Sequence, residues 1–207
     1  MLKAVIFDID GVLIDSFDSN VTFFQRIAKY LGYRPPTRKE YIKLFPLPAI
    51  EIISHITKIK DRDKLEKMLN GSFNAIDQPI YLFKAPKGSK WVIKKLAKNY
   101  KLALVTSRVK KGVKNYFDFS GQKKYFDVVV HFEHYKNPKP HPEPLRVALR
   151  RLNIGPSEAI YVGDAHSDVL AAHAAKMRVI AYGKKKLKGA DFHAQNFKQI
   201  YSIIQKL

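Results

Sequence analysis

Lys3-Ala4-Val5-Ile6-Phe7-Asp8-Ile9-Asp10-Gly11-Val12 decides how the rest of this chain is read. An apolar run of strand length ends in two carboxylates one residue apart, where a buried strand meets the surface. Residues two apart on a strand face the same way, so extended geometry would aim Asp8 and Asp10 at one spot. Acids beside Phe7 and Ile9 are costly to bury unless they are paired or hold a cation. A strand closed by an Asp-Gly turn is the simpler reading of the same residues. The residues downstream favour a site.

Four further apolar runs read as short buried strands: Leu102 to Val105, Val128 to Val130, Ala159 to Val162 and Arg178 to Ala181. Amphipathic helical patterns separate them, around Lys90 to Asn99, Val109 to Phe117, Pro144 to Leu152 and Asp168 to Ala175. Strands alternating with helices predict an α/β fold, a Rossmann-like parallel sheet with helices on both faces. Residues 16–84 break this rhythm. Apolar side chains recur there at helical spacing: Phe23, Phe24, Ile27 and Leu31, then Ile50, Ile53 and Ile56, then Leu65, Met68 and Leu69. Pro35-Pro36 and Pro46-Leu47-Pro48 punctuate the segment. It reads as a helical subdomain inserted into a core made of residues 1–15 and 85–207.

The chain has 207 residues, enough for one domain with a substantial core and an inserted subdomain. It contains no cysteine, which excludes disulfides, thiolate catalysis and cysteine-based metal sites. No apolar stretch approaches bilayer-spanning length, and Met1-Leu2-Lys3 does not open a signal peptide, so a cytoplasmic protein without membrane contact is expected. The formal charge of +20 implies attraction to anions.

Ligands of open parallel sheets sit at the carboxyl ends of the strands. Asp8, Thr106 with Ser107, and Asp164 each follow an apolar strand and would converge along that edge. Lys139 lies in Asn137-Pro-Lys-Pro-His-Pro-Glu-Pro144, a loop stiffened by prolines, with Pro144 suited to a helix start. Asp164 and Asp168 are spaced i, i+4, which one helical turn would place on one face. Two like charges about 4 Å apart repel by roughly 4 kcal/mol at an effective dielectric near 20, so carboxylates sharing a pocket demand a cation. Oxygen ligands without His or Cys suit Mg²⁺. A metal, a hydroxyl donor and a lysine are also what a phosphoryl group needs around its oxygens, and a carboxylate can serve as its covalent acceptor.

With these residues in order along nearly the whole chain, the sequence resembles the haloacid dehalogenase superfamily of phosphatases, and is most similar to its phosphoglycolate phosphatase-like branch. The motifs are Asp8-Ile-Asp-Gly-Val12, Thr106 after Leu102-Ala-Leu-Val105, Lys139 before Pro140, and Gly163-Asp164 with Asp168. The resemblance implies that Asp8 is the nucleophile and Asp10 the acid that protonates the leaving oxygen. It implies that Thr106, Ser107 and Lys139 hold the phosphoryl group. Mg²⁺ would be bound by Asp8, the backbone carbonyl of Asp10, and Asp164, with Asp168 in support. Residues 16–84 match the helical cap of this branch. Val12 stands where Thr is usual, and His166 inside the last motif reads as a pocket-edge residue. Dehalogenases of the superfamily lack the second aspartate, so Asp10 argues for phosphoryl chemistry.

The expected activity is Mg²⁺-dependent hydrolysis of a small phosphorylated metabolite through an aspartyl-phosphate. The alternatives within the fold are a β-phosphoglucomutase-like phosphosugar mutase and an inorganic pyrophosphatase. A phosphoacceptor receiver domain also uses Asp, Thr and Lys on a parallel sheet, but it is shorter and lacks both the insertion and the late Gly-Asp-x-x-x-Asp. His131, His134 and His141 lie in loops and read as packing or surface residues. No acid occurs between Asp77 and Asp118, where eleven basic residues fall from Lys84 to Lys114, and Lys184-Lys-Lys-Leu-Lys188 adds a second basic cluster. By themselves these clusters read as solvated helix faces, with a nucleic-acid-binding surface as the alternative.

Overall fold

The computed structural model describes residues 1–207, apart from the side chains of Phe73 and Asn74. By contact the chain forms two compact units, residues 1–15 with 84–207 and residues 16–83. The first holds a six-stranded parallel sheet: β1 (Ala4–Phe7), β2 (Lys101–Val105), β3 (Val128–Val130), β4 (Ala159–Gly163), β5 (Arg178–Tyr182) and β6 (Phe192–Ala194). The strand order is β3-β2-β1-β4-β5-β6, and every neighbouring pair is parallel. All four residues of β1 and all five of β4 are buried, which is why both strands are apolar throughout rather than alternating.

The intervening helices bury one face each. In α5 (Ser89–Leu96) the inward side chains are Val92, Ile93 and Leu96, and the lysines point to solvent. Helix α6 (Lys110–Ser120) ends at Gly121, whose φ of 68° is the left-handed conformation glycine adopts freely. Helix α7 (Glu143–Leu152) carries Pro144 in its first turn, where proline is tolerated, and buries Leu145, Val147, Ala148, Leu149 and Leu152. Helix α8 (His166–Ala174) contributes Val169, Ala171 and Ala172 to the same core as Ile6, Ala103, Val105 and Tyr161.

Two further elements complete this unit. Strand β6, Phe192-His-Ala194, is a three-residue edge strand without an apolar run. Helix α9 (Phe197–Ile204) buries Phe197, Ile200 and Ile204, and its N-cap Asn196 accepts from the Gln199 amide at 3.0 Å.

The second unit is helical: α1 (Phe17–Tyr30), α2 (Arg38–Leu44), α3 (Ala49–Thr57) and α4 (Arg62–Ala75). Thr37 and Glu40 close a reciprocal capping box on α2. Tyr41 packs among Phe17, Phe24 and Phe45. The chain leaves the sheet-bearing unit after Asp15 and re-enters it at Lys84, and these two residues exchange both backbone hydrogen bonds, at 2.8 and 3.1 Å. Among the described residues no helix is long and apolar enough to cross a membrane.

Candidate active site

Strand β1 lies where the strand order reverses, with β2 on one side and β4 on the other, so the crevice at its carboxyl end is the ligand position of such sheets. Asp8 is the first residue beyond it, held by a hydrogen bond from its amide to the Val162 carbonyl at 2.9 Å. The chain then turns sharply. The amides of Leu13 and Ile14 both donate to the Ile9 carbonyl, and Gly11 takes φ +73°. Glycine is required at this position for a second reason. A Cβ there would lie 1.9 Å from Asp164 Oδ2, so the turn leaves room for that carboxylate only because residue 11 has no side chain.

This turn also corrects one expectation. Extended geometry stops at Phe7, and the two acids of the motif take different partners. Asp8 Oδ2 accepts from Lys139 Nζ at 2.6 Å, whereas the Asp10 carboxylate accepts a forked pair from Arg108, Nε to Oδ2 and Nη2 to Oδ1, each at 2.7 Å.

Lys139 Nζ is the hub. Besides Asp8 it donates to Asp168 Oδ1 at 2.6 Å and to the Tyr161 hydroxyl at 3.0 Å, with its side chain only 6% exposed. Asp168 spends its second oxygen on the amides of Asp164 and Ala165, at 3.1 and 3.0 Å. It thereby caps the N-terminus of α8, where a carboxylate is favoured. Asp164 and Asp168 therefore do not share a helical face as their spacing suggested. Asp164 precedes the helix, and Asp168, in its first turn, reaches back to Asp164's backbone. Gly163 makes that approach possible, since a Cβ there would meet Asp168 Cβ at 2.4 Å.

Asp8, Asp164 and Asp168 each offer an oxygen within 4.8 Å of the others, the one group of this kind among the described residues that could hold a metal ion. Lys139 is the ammonium set among them, so the cluster lacks positive charge. Its acidities show this. Burial, then the neighbouring carboxylates of Asp168 and Asp10 working against Lys139, push Asp8 up to about 6. Burial, followed by Asp168 and Asp8, raises Asp164 well above the usual carboxylate range. Burial disfavours the Lys139 charge, but Asp168 and Asp8 outweigh it and hold that ammonium well above its ordinary value. A divalent cation on Asp8 and Asp164 would relieve the repulsion, and the all-oxygen donor set fits Mg²⁺.

Thr106 follows β2 and is buried, its amide on the Val130 carbonyl at 3.1 Å. Its hydroxyl accepts from the Arg108 amide at 3.2 Å, which leaves the hydroxyl proton to donate. Ser107, next in the loop, is half-buried. The histidines serve loops: His131 Nδ1 meets Glu133 at 2.6 Å, His134 Nδ1 accepts from the His131 amide, and His141 Nδ1 accepts from the Glu143 amide. His166 is exposed at the first residue of α8.

Three residues at the site escaped the sequence reading. Arg108 was counted among the surface cations, although its position directly after Thr106-Ser107 placed it on the carboxyl edge. Tyr161 was read as one more apolar strand residue, yet its hydroxyl donates to Asp168 Oδ1 at 3.1 Å. Tyr135 donates to the Thr106 carbonyl at 3.1 Å, a long-range contact that local sequence does not reveal.

The sequence profile of haloacid dehalogenase-like hydrolases matches residues 5–182. The chain belongs to this family of hydrolases. It is 32% identical to pyrophosphatase PpaX of Bacillus cereus (strain B4264) over 87% of this chain and 82% of that protein. A haloacid dehalogenase-superfamily hydrolase of subfamily IA, variant 1, from Geobacter sulfurreducens superposes with a TM-score of 0.77 at 29% identity, covering 98% of this chain and all of the other. CbbY from Rhodobacter sphaeroides, solved with phosphate, superposes with a TM-score of 0.83 at 22% identity over 97% and 96% of the two chains, a likeness of fold.

Proposed function

We propose that the protein hydrolyses a small phosphorylated metabolite with Mg²⁺ and an aspartyl-phosphate intermediate. The observation that carries this reading is the buried cluster of Asp8, Asp164 and Asp168 around Lys139, which has more negative charge than its one ammonium balances. Asp8, Asp164 and the Asp10 carbonyl would hold Mg²⁺, which when bound supplies positive charge to the oxygens of the transferring phosphoryl group. A carboxylate oxygen of Asp8 attacks phosphorus as the bond to the leaving oxygen breaks, and Asp10 delivers a proton to that oxygen. Asp10 then takes a proton from water as the water attacks the phosphoryl group, returning Asp8 to its carboxylate. Lys139 and the Thr106 hydroxyl, with Ser107 beside it, offer positive charge and hydrogen bonds to the phosphoryl oxygens. Asp168 fixes Lys139 from behind. Residues 16–83, inserted shortly after the Asp10 turn, occupy the sequence position of the cap that governs specificity in this family.

Inorganic pyrophosphate is the second candidate substrate, because the curated relatives at about this identity are named as pyrophosphatases. A panel holding pyrophosphate, phosphoglycolate, sugar phosphates and nucleoside monophosphates, assayed with Mg²⁺, separates the two. Asp8→Asn, which keeps the size of the side chain, should lower turnover on the best substrate by several orders of magnitude while the protein stays folded. Near-native turnover in that variant would exclude covalent transfer to Asp8.

A further inference from the structure

The only tryptophan of the chain, Trp91, stands on the outer face of α5 and is 52% exposed. Its neighbour is Tyr201 of α9, with ring centroids 5.5 Å apart and planes inclined at 64°. Trp91, Lys94, Lys95 and Lys98 follow one another at i, i+3, i+4 and i+7, a single stripe along α5 and the turn after it, and all four are exposed. Lys95 Nζ lies 5.5 Å from the centre of the indole ring. On α9, Lys198 and Gln205 flank Tyr201 at i−3 and i+4, and Gln205 reaches the Tyr100 hydroxyl at 3.5 Å. No Asp or Glu occurs in residues 84–117 or 192–207, so both helices present cations alone. The remaining apolar residues of α5 face inward and are satisfied there.

The geometry points to this face as a binding platform for single-stranded nucleic acid. An exposed indole beside a phenol offers π-faces to unstacked bases of any sequence, and lysines along both sides follow the phosphates, the combination that non-specific single-strand binders use. Other occupants fit less well. A second copy of the chain would set lysine against lysine. A lipid surface needs a broad apolar face, and here Trp91 is the one exposed large apolar side chain of the two helices. Duplex DNA keeps its bases stacked and would leave the rings unused. This surface is independent of the phosphoryl-transfer site: the stripe ends by Lys101, at the start of β2, whereas Thr106 follows the end of that strand.

The full chain should be titrated with a thymidine oligomer of about 15 nucleotides, within the range of single-strand site sizes. Because Trp91 is the sole tryptophan, its emission reports stacking directly. The expected result is quenching by the oligomer but not by inorganic polyphosphate, with the slope of log affinity against log salt near 0.7 per phosphate contacted. By anisotropy of a labelled oligomer, Trp91→Ala should weaken binding at least about fivefold, the lower end of the stacking range, and Trp91→Phe should recover most of the loss. Phosphatase turnover should be the same in all three proteins. No binding at about 50 mM salt, where such contacts are strong, would overturn the inference. Equal affinity for polyphosphate, duplex DNA or anionic vesicles would do the same, as would an unchanged affinity in Trp91→Ala.

Discussion

Arg108 grips the Asp10 carboxylate through Nε and Nη2, each at 2.7 Å, and the arginine side chain is only 9% exposed. The planar fork matches a carboxylate better than any ammonium could, so it fixes where the Asp10 carboxylate rests.

If Arg108 positions the acid, Arg108→Met should lower kcat/KM about 10- to 100-fold on an alkyl phosphate, part of the usual contribution of a positioned acid. The loss on p-nitrophenyl phosphate should be smaller, since that leaving group departs without a proton. Asp10→Asn should show the same ordering. Equal losses on both substrates in Arg108→Met would mean that Arg108 binds the phosphoryl group instead of serving Asp10.

Chelation should abolish turnover and Mg²⁺ should restore it, because Asp8 and Asp164 carry charge that Lys139 alone leaves unbalanced. Ca²⁺ in excess should inhibit, its longer bonds and higher coordination suiting an octahedral site poorly. Asp164→Ala should raise the Mg²⁺ concentration for half-maximal activity more than it changes affinity for phosphate. Full activity after exhaustive chelation would refute the metal requirement.

Gly11→Ala tests the turn. The added Cβ would fall 1.9 Å from Asp164 Oδ2, and φ of +73° would be strained besides. Gly121→Ala is the matched control, with a φ of +68° and nothing within 4 Å of the added carbon. Strain of this kind costs on the order of 1–2 kcal/mol at either position. Only Gly11→Ala should also weaken the response to Mg²⁺, measured as the rise in melting temperature that the ion produces. Identical Mg²⁺ responses in the two variants would detach Gly11 from the carboxylate cluster.

The raised pKa of Asp8 has a defined sign in stability. Between the ordinary value of 3.8 and about 6, folded protein holds a proton on Asp8 that the unfolded chain has released. The folded state binds more protons in that window, so without metal the Asp8 contribution to stability falls as pH rises through it. Asp8→Asn has no such proton to lose. The melting temperature of the metal-free protein, relative to that of Asp8→Asn, should therefore drop from pH 4 to pH 7. Mg²⁺ needs the ionised carboxylates, so the stabilisation it adds should grow over the same range. A difference between the two proteins that ignores pH would contradict the raised pKa of Asp8.

Much of this molecule is written locally. The central strands β1, β2, β4 and β5 show as apolar runs because such a strand is buried on both faces, the edge strand β3 is apolar although half-buried at two of its three residues, and the helices between them show their inward stripe. The carboxyl-edge residues Asp8, Thr106 and Asp164 follow from strand ends alone, since a parallel sheet brings every such end to one side. Strand β6 is too short to carry a periodic signal, whereas α9 carries one, with Phe197, Ile200 and Ile204 at i, i+3 and i+7, beyond the runs read above.

Contacts made across the sheet were decided elsewhere. The pairing of Arg108 with Asp10, 98 positions apart, and the meeting of Lys139 with Asp8 and Tyr161 depend on which strands lie side by side. The same holds for Trp91 against Tyr201, which turns a lysine-rich helix into a face with two aromatic rings. Side-chain type and local spacing fix what each segment buries and where it ends. Partners distant in sequence are chosen only when the strand order sets β2 and β4 against β1, because a hydrogen bond or ring contact reaches a few ångströms and nothing in a local pattern encodes that distance.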